Sequence, residues 1–116
     1  MIQNETKNKI IAEKHKDCVS MFSKARGLMF AKEKSQQALV FHFRKERYIS
    51  IHMYFVFFPI DLVYLNKNNR VVEIKRNIRP FAYYSPKKKA KYLLELKANT
   101  IERTNITLND VIRIRN

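Results

Sequence analysis

Apolar side chains alternate from Ile49 to Phe57: Ile49, Ile51, Met53, Phe55 and Phe57 fall on one side, with Ser50, His52, Tyr54 and Val56 between them. A repeat of two residues is the mark of an extended strand. The second set is itself partly apolar, so the pattern predicts a strand covered on both faces. Pro59 has no amide to give a ladder and belongs at a strand end or bulge. Ile60 to Leu65 and Arg70 to Lys75 read as a hairpin across Asn66-Lys67-Asn68-Asn69, because asparagine tolerates the left-handed backbone that such turns demand. Ala38 to Phe43, Tyr92 to Leu96 and Val111 to Arg115 read as further strands, the last after a turn at Asn109-Asp110.

Elsewhere the pattern is less regular. Lys9 to His15 is read as a first strand although Ile10 and Ile11 break the alternation, and residues 1–8 as a flexible arm. Cys18 to Phe30 reads as a helix, with Val19, Phe22, Arg26 and Met29 on one stripe. Gly27 comes late in that stretch, where a left-handed residue would end the helix. Pro80 and Pro86 bracket an irregular segment, Phe81 to Ser85. Asn99-Thr100-Ile101-Glu102 has the spacing of a capping box and predicts one or two helical turns ending near Asn105. The sum is a mainly β fold, a small antiparallel β-sandwich or barrel with two short helices, in one domain spanning residues 1–116.

Composition changes this picture in one respect. Among 116 residues, 24 Lys and Arg face 10 Asp and Glu, for a formal net charge of +14. Such a balance suggests an anionic partner: nucleic acid, an acidic lipid surface or an acidic protein. Abundant Lys, Asn and Ile beside a single glycine also fit a compositional bias that says nothing about partners. The lone cysteine, Cys18, excludes an intramolecular disulfide and any zinc site built on cysteine pairs. The run from Tyr48 to Leu65 reaches the length of a membrane span. Ser50, His52, Pro59 and Asp61 within it argue for two buried strands instead. With no leader in view, the reading is a cytoplasmic protein without a transmembrane segment.

Asp61 is the one formal charge in that run. A carboxylate in a protein interior must be paired, hydrogen-bonded or protonated. It could serve as an acid/base group. The structural alternative is a carboxylate that accepts hydrogen bonds from Arg26 or from backbone amides and holds the Arg26-Gly27-Leu28-Met29 turn against the sheet. His42 and His52 on neighbouring predicted strands could join Asp61 in a metal site, but their spacing is no recognised ligand signature. Cys18 beside Asp17, with His15 nearby, invites a nucleophile reading, against which a neighbouring carboxylate suppresses the thiolate. One glycine cannot make a phosphate-cradling loop. The basic runs are Arg44-Lys45-Glu46-Arg47; Lys75-Arg76 with Arg79; Lys87-Lys88-Lys89 with Lys91; and Arg113 with Arg115. Phe81, Tyr83 and Tyr84 lie between two of them, an interleaving that suits single-stranded nucleic acid.

Three stretches carry a family resemblance: Arg26-Gly27-Leu28-Met29-Phe30; Ile51-His52-Met53 with Phe58-Pro59-Ile60-Asp61 and Asn68-Asn69-Arg70-Val71-Val72-Glu73-Ile74; and Tyr92-Leu93-Leu94-Glu95-Leu96 with Val111. In order and spacing the chain resembles domain of unknown function 192, also called uncharacterised protein family 0127, from about Lys9 to the C-terminus. The resemblance implies a compact, mostly antiparallel β structure with a short helix carrying the Arg-Gly-Leu-Met segment. It implies no activity, substrate or cofactor. The family often has tryptophan before the methionine and Lys-Asn-Thr after it, where this chain has His52 and Tyr54-Phe55-Val56. Many bacterial members look exported.

The sequence thus points to a non-catalytic binding or accessory module whose basic surface takes an anionic partner. Arg76, Arg79, Lys87, Lys88, Lys89 and Lys91 are the candidate anion-binding residues. The alternative is a small-ligand binder or enzyme with a pocket around Arg26, Gly27, Met29, His52, Met53, Tyr54 and Asp61. No residue is singled out as catalytic, and no metal or cofactor is expected.

Overall fold

The computed structural model describes residues 1–18, 38–53 and 58–116. In chain order the elements are β1 (Ile2–Asn4), β2 (Lys9–Ala12), β3 (His15–Cys18), β4 (Ala38–Arg47), β5 (Ile51–His52), β6 (Ile60–Leu65), β7 (Val71–Ile78), β8 (Tyr83–Tyr84), β9 (Ala90–Lys97), α1 (Thr100–Thr104) and β10 (Ile112–Ile114). The main sheet has five strands in the order β3-β4-β9-β6-β7. A three-stranded sheet, β10-β1-β2, and a two-stranded ribbon, β5-β8, complete the fold. The fold is mainly β, as the alternation predicts, and among the described residues the sheets do not close into a barrel. Among the described residues no helix is long and apolar enough to cross a membrane.

The main sheet is covered on both faces. One face packs Leu39, Phe41, Leu62, Tyr64 and Leu93 against Ile49, Ile51 and Met53 from the ribbon side. The other packs Val40, Val63, Leu65, Leu94 and Leu96 against Ile2, Ile11 and Ile112 of the small sheet and Ile101 of α1. Strand β6 lies between β9 and β7, and all six of its residues are buried. That double burial is why Ile60 to Leu65 is apolar throughout except at Asp61.

Several sequence expectations are corrected. Residues 1–8 are not an arm, since β1 is the central strand of the small sheet and Ile2 is fully buried. Burying one isoleucine is worth about 1.5–3 kcal/mol, enough to offset the roughly 1–2 kcal/mol of backbone ordering at that residue. The strand expected from Lys9 to His15 divides at Glu13 and Lys14 into β2 and β3. β3 then pairs with β4 in parallel, Asp17 opposite Val40. Parallel neighbours need a long connection, and the chain between Cys18 and Ala38 supplies one. Cys18 closes β3 rather than opening a helix. The remainder of that expected helix, with Arg26, Gly27 and Met29, lies outside the described residues, as does Tyr54. The segment after Pro80 is less irregular than expected, because Tyr83 and Tyr84 pair with His52 and Ile51.

Left-handed backbone is supplied by asparagine. Among the described residues seven non-glycine residues have positive φ: six are Asn8, Asn69, Asn77, Asn99, Asn105 and Asn109, and the seventh is Phe81. Asparagine visits this region more readily than other side-chain-bearing residues, which lets a chain with a single glycine build tight turns.

Candidate functional site

Asp61 is fully buried on β6. Its Oδ1 accepts the amide N–H of Asn77 at 2.9 Å and its Oδ2 accepts that of Ile101 at 2.9 Å. The first bond closes a bulge. Ile60 pairs with Ile78 while Leu62 pairs with Lys75, so β7 has an extra residue opposite Asp61, and Asn77 turns to φ 49 there. A bulge leaves a ladder amide unpaired, and the carboxylate takes it. The second bond caps α1. Asn99, in the expected capping position, has φ 74 and makes no side-chain cap. The capping box is therefore right about where the helix starts and wrong about what caps it. At the other end, Ile106 N–H donates to Ile101 O at 3.0 Å and Asn105 N–H to Glu102 O at 3.2 Å, closing the helix with a left-handed asparagine. Asp61 thus holds α1 and the β7 bulge. The reading in which it holds the Arg26 turn falls outside the described residues.

A second carboxylate organises the surface. Glu73 on β7 accepts the amide N–H groups of Lys87 at 2.8 Å and Lys88 at 2.9 Å through Oε1, while its Oε2 takes the Tyr84 hydroxyl. Burial, reinforced by the Glu73 hydrogen bond and charge, pushes the Tyr84 phenol up to about 12. Lys75 Nζ stands 5.9 Å from the centre of the Tyr84 ring, and Lys89 Nζ 5.7 Å from that of Tyr48. Lys87, Lys88 and Lys89 are all exposed. One anchored turn therefore gathers them with Lys75 beside two tyrosines.

The ribbon next to this turn has one inner and one outer face. Ile49, Ile51 and Met53 are buried, so Tyr48, Ser50 and His52 point outward; up to Met53 this corrects the expectation of a strand covered on both sides, and the rest of that expected strand, to Phe57, lies outside the described residues. His52 and Tyr83 rings lie 4.7 Å apart at 47°, and the Tyr83 hydroxyl reaches Ser50 Oγ at 3.4 Å. The bond to Ser50 and a further one to Ser85 hold the Tyr83 phenol below its usual value. Arg79 is exposed beyond the other end of the ribbon, its carbonyl accepting Ala82 N–H at 3.2 Å. Arg76 is also exposed, within the β7 bulge. Lys91 Nζ sits 5.5 Å from the Tyr92 ring, against which the His42 ring stacks edge-on at 5.5 Å.

Among the described residues, His42, His52 and Asp61 do not gather into a metal site. His42 Nε2 is 2.9 Å from Asp17 Oδ1, the same oxygen that lies 3.3 Å from His15 Nε2. Cys18 is buried in the core.

The family is settled by comparison. The model of domain of unknown function 192, described as an uncharacterized ACR family, matches residues 4–114. The chain belongs to this family. A UPF0127 protein of Thermococcus sibiricus is 36% identical over 114 residues, covering 97% of this chain and 73% of the relative. One from Pyrococcus horikoshii is 38% identical over 97 residues, 82% of each chain. Among solved structures, a candidate transcription regulator of Sinorhizobium meliloti superposes with a TM-score of 0.78 at 22% identity, over 85% of this chain and 79% of that one. A protein of unknown function from Novosphingobium aromaticivorans gives 0.75 at 18% identity, over 86% and 74%. These two likenesses establish the fold.

Three features of this DUF192 chain escape a sequence reading. Asp110, read only as a turn residue, accepts Asn4 Nδ2 at 2.8 Å, Lys7 Nζ at 2.9 Å and both Thr107 donors, tying the first strand to the last turn. Burial alone would raise its carboxyl, and these hydrogen bonds overcome that and lower it. Glu95 is buried between Leu39 and Leu62 although glutamate in a strand ordinarily marks solvent. A cleft of about 300 Å³ opens between β2, α1 and the end of β9, floored by Ile11, Ala38, Leu96 and Thr100 and rimmed by Glu13, Lys14, Lys97 and Arg103. Its walls come from four separate elements, so no local motif announces it.

Proposed function

We propose that this protein is a non-catalytic binding module whose basic surface takes a polyanion on the turn at Lys87, Lys88 and Lys89 and the adjoining ribbon. The carrying observation is Glu73, which fixes the backbone of two of those lysines. A lysine run on a free loop is ordinarily a solvated face. A run held by a buried-side anchor, with tyrosines beside it, presents several ammonium groups in one place. The net charge of +14 supports the same reading. The description of the Sinorhizobium neighbour as a candidate regulator of transcription is compatible with nucleic acid as the polyanion.

A labelled oligonucleotide titrated at two salt concentrations tests the proposal. Each phosphate neutralised contributes a log–log slope of about −0.7 to −0.9. Replacing Lys87, Lys88 and Lys89 together by Gln is expected to weaken binding and flatten that slope by roughly two units or more. No binding at low salt, or binding indifferent to salt and to the three lysines, overturns it.

A small-ligand binder or enzyme is the second reading. The observation favouring it is the cleft rimmed by Lys14, Lys97 and Arg103, whose lining includes neither His52 nor Asp61.

A further inference from the structure

The outer face of the β5–β8 ribbon carries a concentration of exposed rings. Tyr48 is 55% exposed and Tyr83, opposite His52 across the ribbon, 56%, while Phe81, just before β8, is 55% exposed, so three of the six exposed large hydrophobics in the described residues belong to the ribbon and its flanks. Single exposed apolar side chains are ordinary, whereas a cluster marks a contact surface. The cluster is also held in place. Tyr83 is fixed by His52 on one side and by Ser50 at its hydroxyl. Phe81 has φ 65, a conformation that a bulky residue adopts only where its surroundings impose it, and its N–H donates to Met53 O at 2.8 Å. Strain of this kind gathers at binding sites.

We infer that this face is a stacking platform for unpaired bases, and that the polyanion is single-stranded nucleic acid. The inference rests on the proposed basic surface and adds a second mode of contact to it. Tyr83 stands opposite His52 across the ribbon and Tyr48 lies just before β5, so the rings come from both sides of the ribbon and each can meet a separate base. In a duplex the bases rise about 3.4 Å per step, stacked on one another, and offer no free face to such rings. Splayed single strands do offer one, and aromatic side chains are what they stack on. Charge points the same way: Lys87 to Lys89 lie beyond one end of the ribbon and Arg79 beyond the other, so a strand laid along the rings meets cations at both ends. Aromatic platforms also bind sugars, but a neutral glycan makes no use of those cations.

The experiment compares four probes on the full chain: an oligo(dT) strand, a DNA duplex of equal length, inorganic polyphosphate and a neutral oligosaccharide. The variants are Tyr48→Ala, Tyr83→Ala and Tyr83→Phe, each checked for an unchanged melting temperature. Oligo(dT) is expected to bind more tightly than duplex, and each alanine to weaken it by roughly 5- to 150-fold. Tyr83→Phe keeps the ring and should stay near wild type, and polyphosphate binding should not move in any variant. Equal binding of strand and duplex, with no loss in the alanine variants, overturns the platform and leaves the basic surface standing. Failure of all three anions to bind overturns both. Binding of the neutral oligosaccharide that Tyr83→Ala abolishes, without preference for oligo(dT), replaces the base platform with a sugar platform.

Discussion

The carboxylate of Asp61 caps a helix that begins in another element, accepting the N–H of Ile101 forty residues further along the chain. A helix of five residues has no stability of its own in water. Here its first turn is satisfied by a buried charge on β6 and its last by Asn105, while Ile101 anchors it in the core. Asp61→Ala removes the acceptor of two backbone amides at once. Each stranded donor costs about 1–3 kcal/mol, so a loss of about 2–6 kcal/mol is expected. Asp61→Asn keeps one acceptor and should fall between. Urea denaturation of the three proteins measures this; an alanine variant as stable as wild type would falsify the capping role.

The Asn105 backbone, at φ 56 and ψ 45, favours a residue that tolerates the left-handed region. Asn105→Ala should destabilise the protein by about 1 kcal/mol, with Asn105→Gly near neutral. Thermal melts of the pair decide it: equal melting temperatures for Ala and Gly would mean that the conformation is not maintained in solution.

Asp110 makes stability depend on acid. Its carboxyl is held below the usual value in the folded protein, so it contributes stability at pH above the ordinary aspartate range, and that contribution is lost as pH falls through the lowered value. Asp110→Ala should therefore lie well below wild type at neutral pH, with the gap narrowing in strong acid. A gap that stays constant across the titration would show that the charge is not what the site uses.

Tyr84 acts at the alkaline end. Its phenol is pushed up to about 12, against an ordinary value near 10, so the stability it contributes is present below pH 10 and lost as pH rises toward 12. Glu73→Gln removes the neighbouring charge and should bring the ionisation of Tyr84 down, as followed by tyrosinate absorbance. The same variant should loosen the lysine turn and weaken polyanion binding, although it makes the protein more positive. Tighter binding in Glu73→Gln would show that bulk charge outweighs the anchored geometry.

Strands were legible where burial fills a short run with apolar side chains: Ile60 to Leu65, the hairpin after it and Tyr92 to Leu96 all stand near where the pattern puts them. Turns were legible through asparagine at Asn69 in the hairpin, at Asn105 where the helix was expected to end and at Asn109, whereas the capping box did not foretell the left-handed backbone of Asn99. What escaped was set by partners distant in sequence. β1 is short, and only its place between β2 and β10 makes it a strand. The cap of α1 comes from β6 rather than from Asn99, because once Asn99 is used as a left-handed residue its side chain no longer faces the first turn. Of the candidate site, the lysine run and Tyr83 were visible as composition. That Glu73 binds the run together was not, since a glutamate in an exposed-looking strand carries no signal of what it accepts.

An amide chemical-shift titration with oligo(dT) at low salt tests the proposed function most directly. Shifts are expected to cluster on Tyr48 to Met53 and Arg79 to Lys89 and to vanish at high salt, with Ile11, Leu96, Thr100 and Arg103 around the cleft unmoved. Shifts centred on the cleft, or scattered over lysines across the whole surface with Tyr48 and Tyr83 silent, would contradict the ribbon and its lysine turn as the binding site.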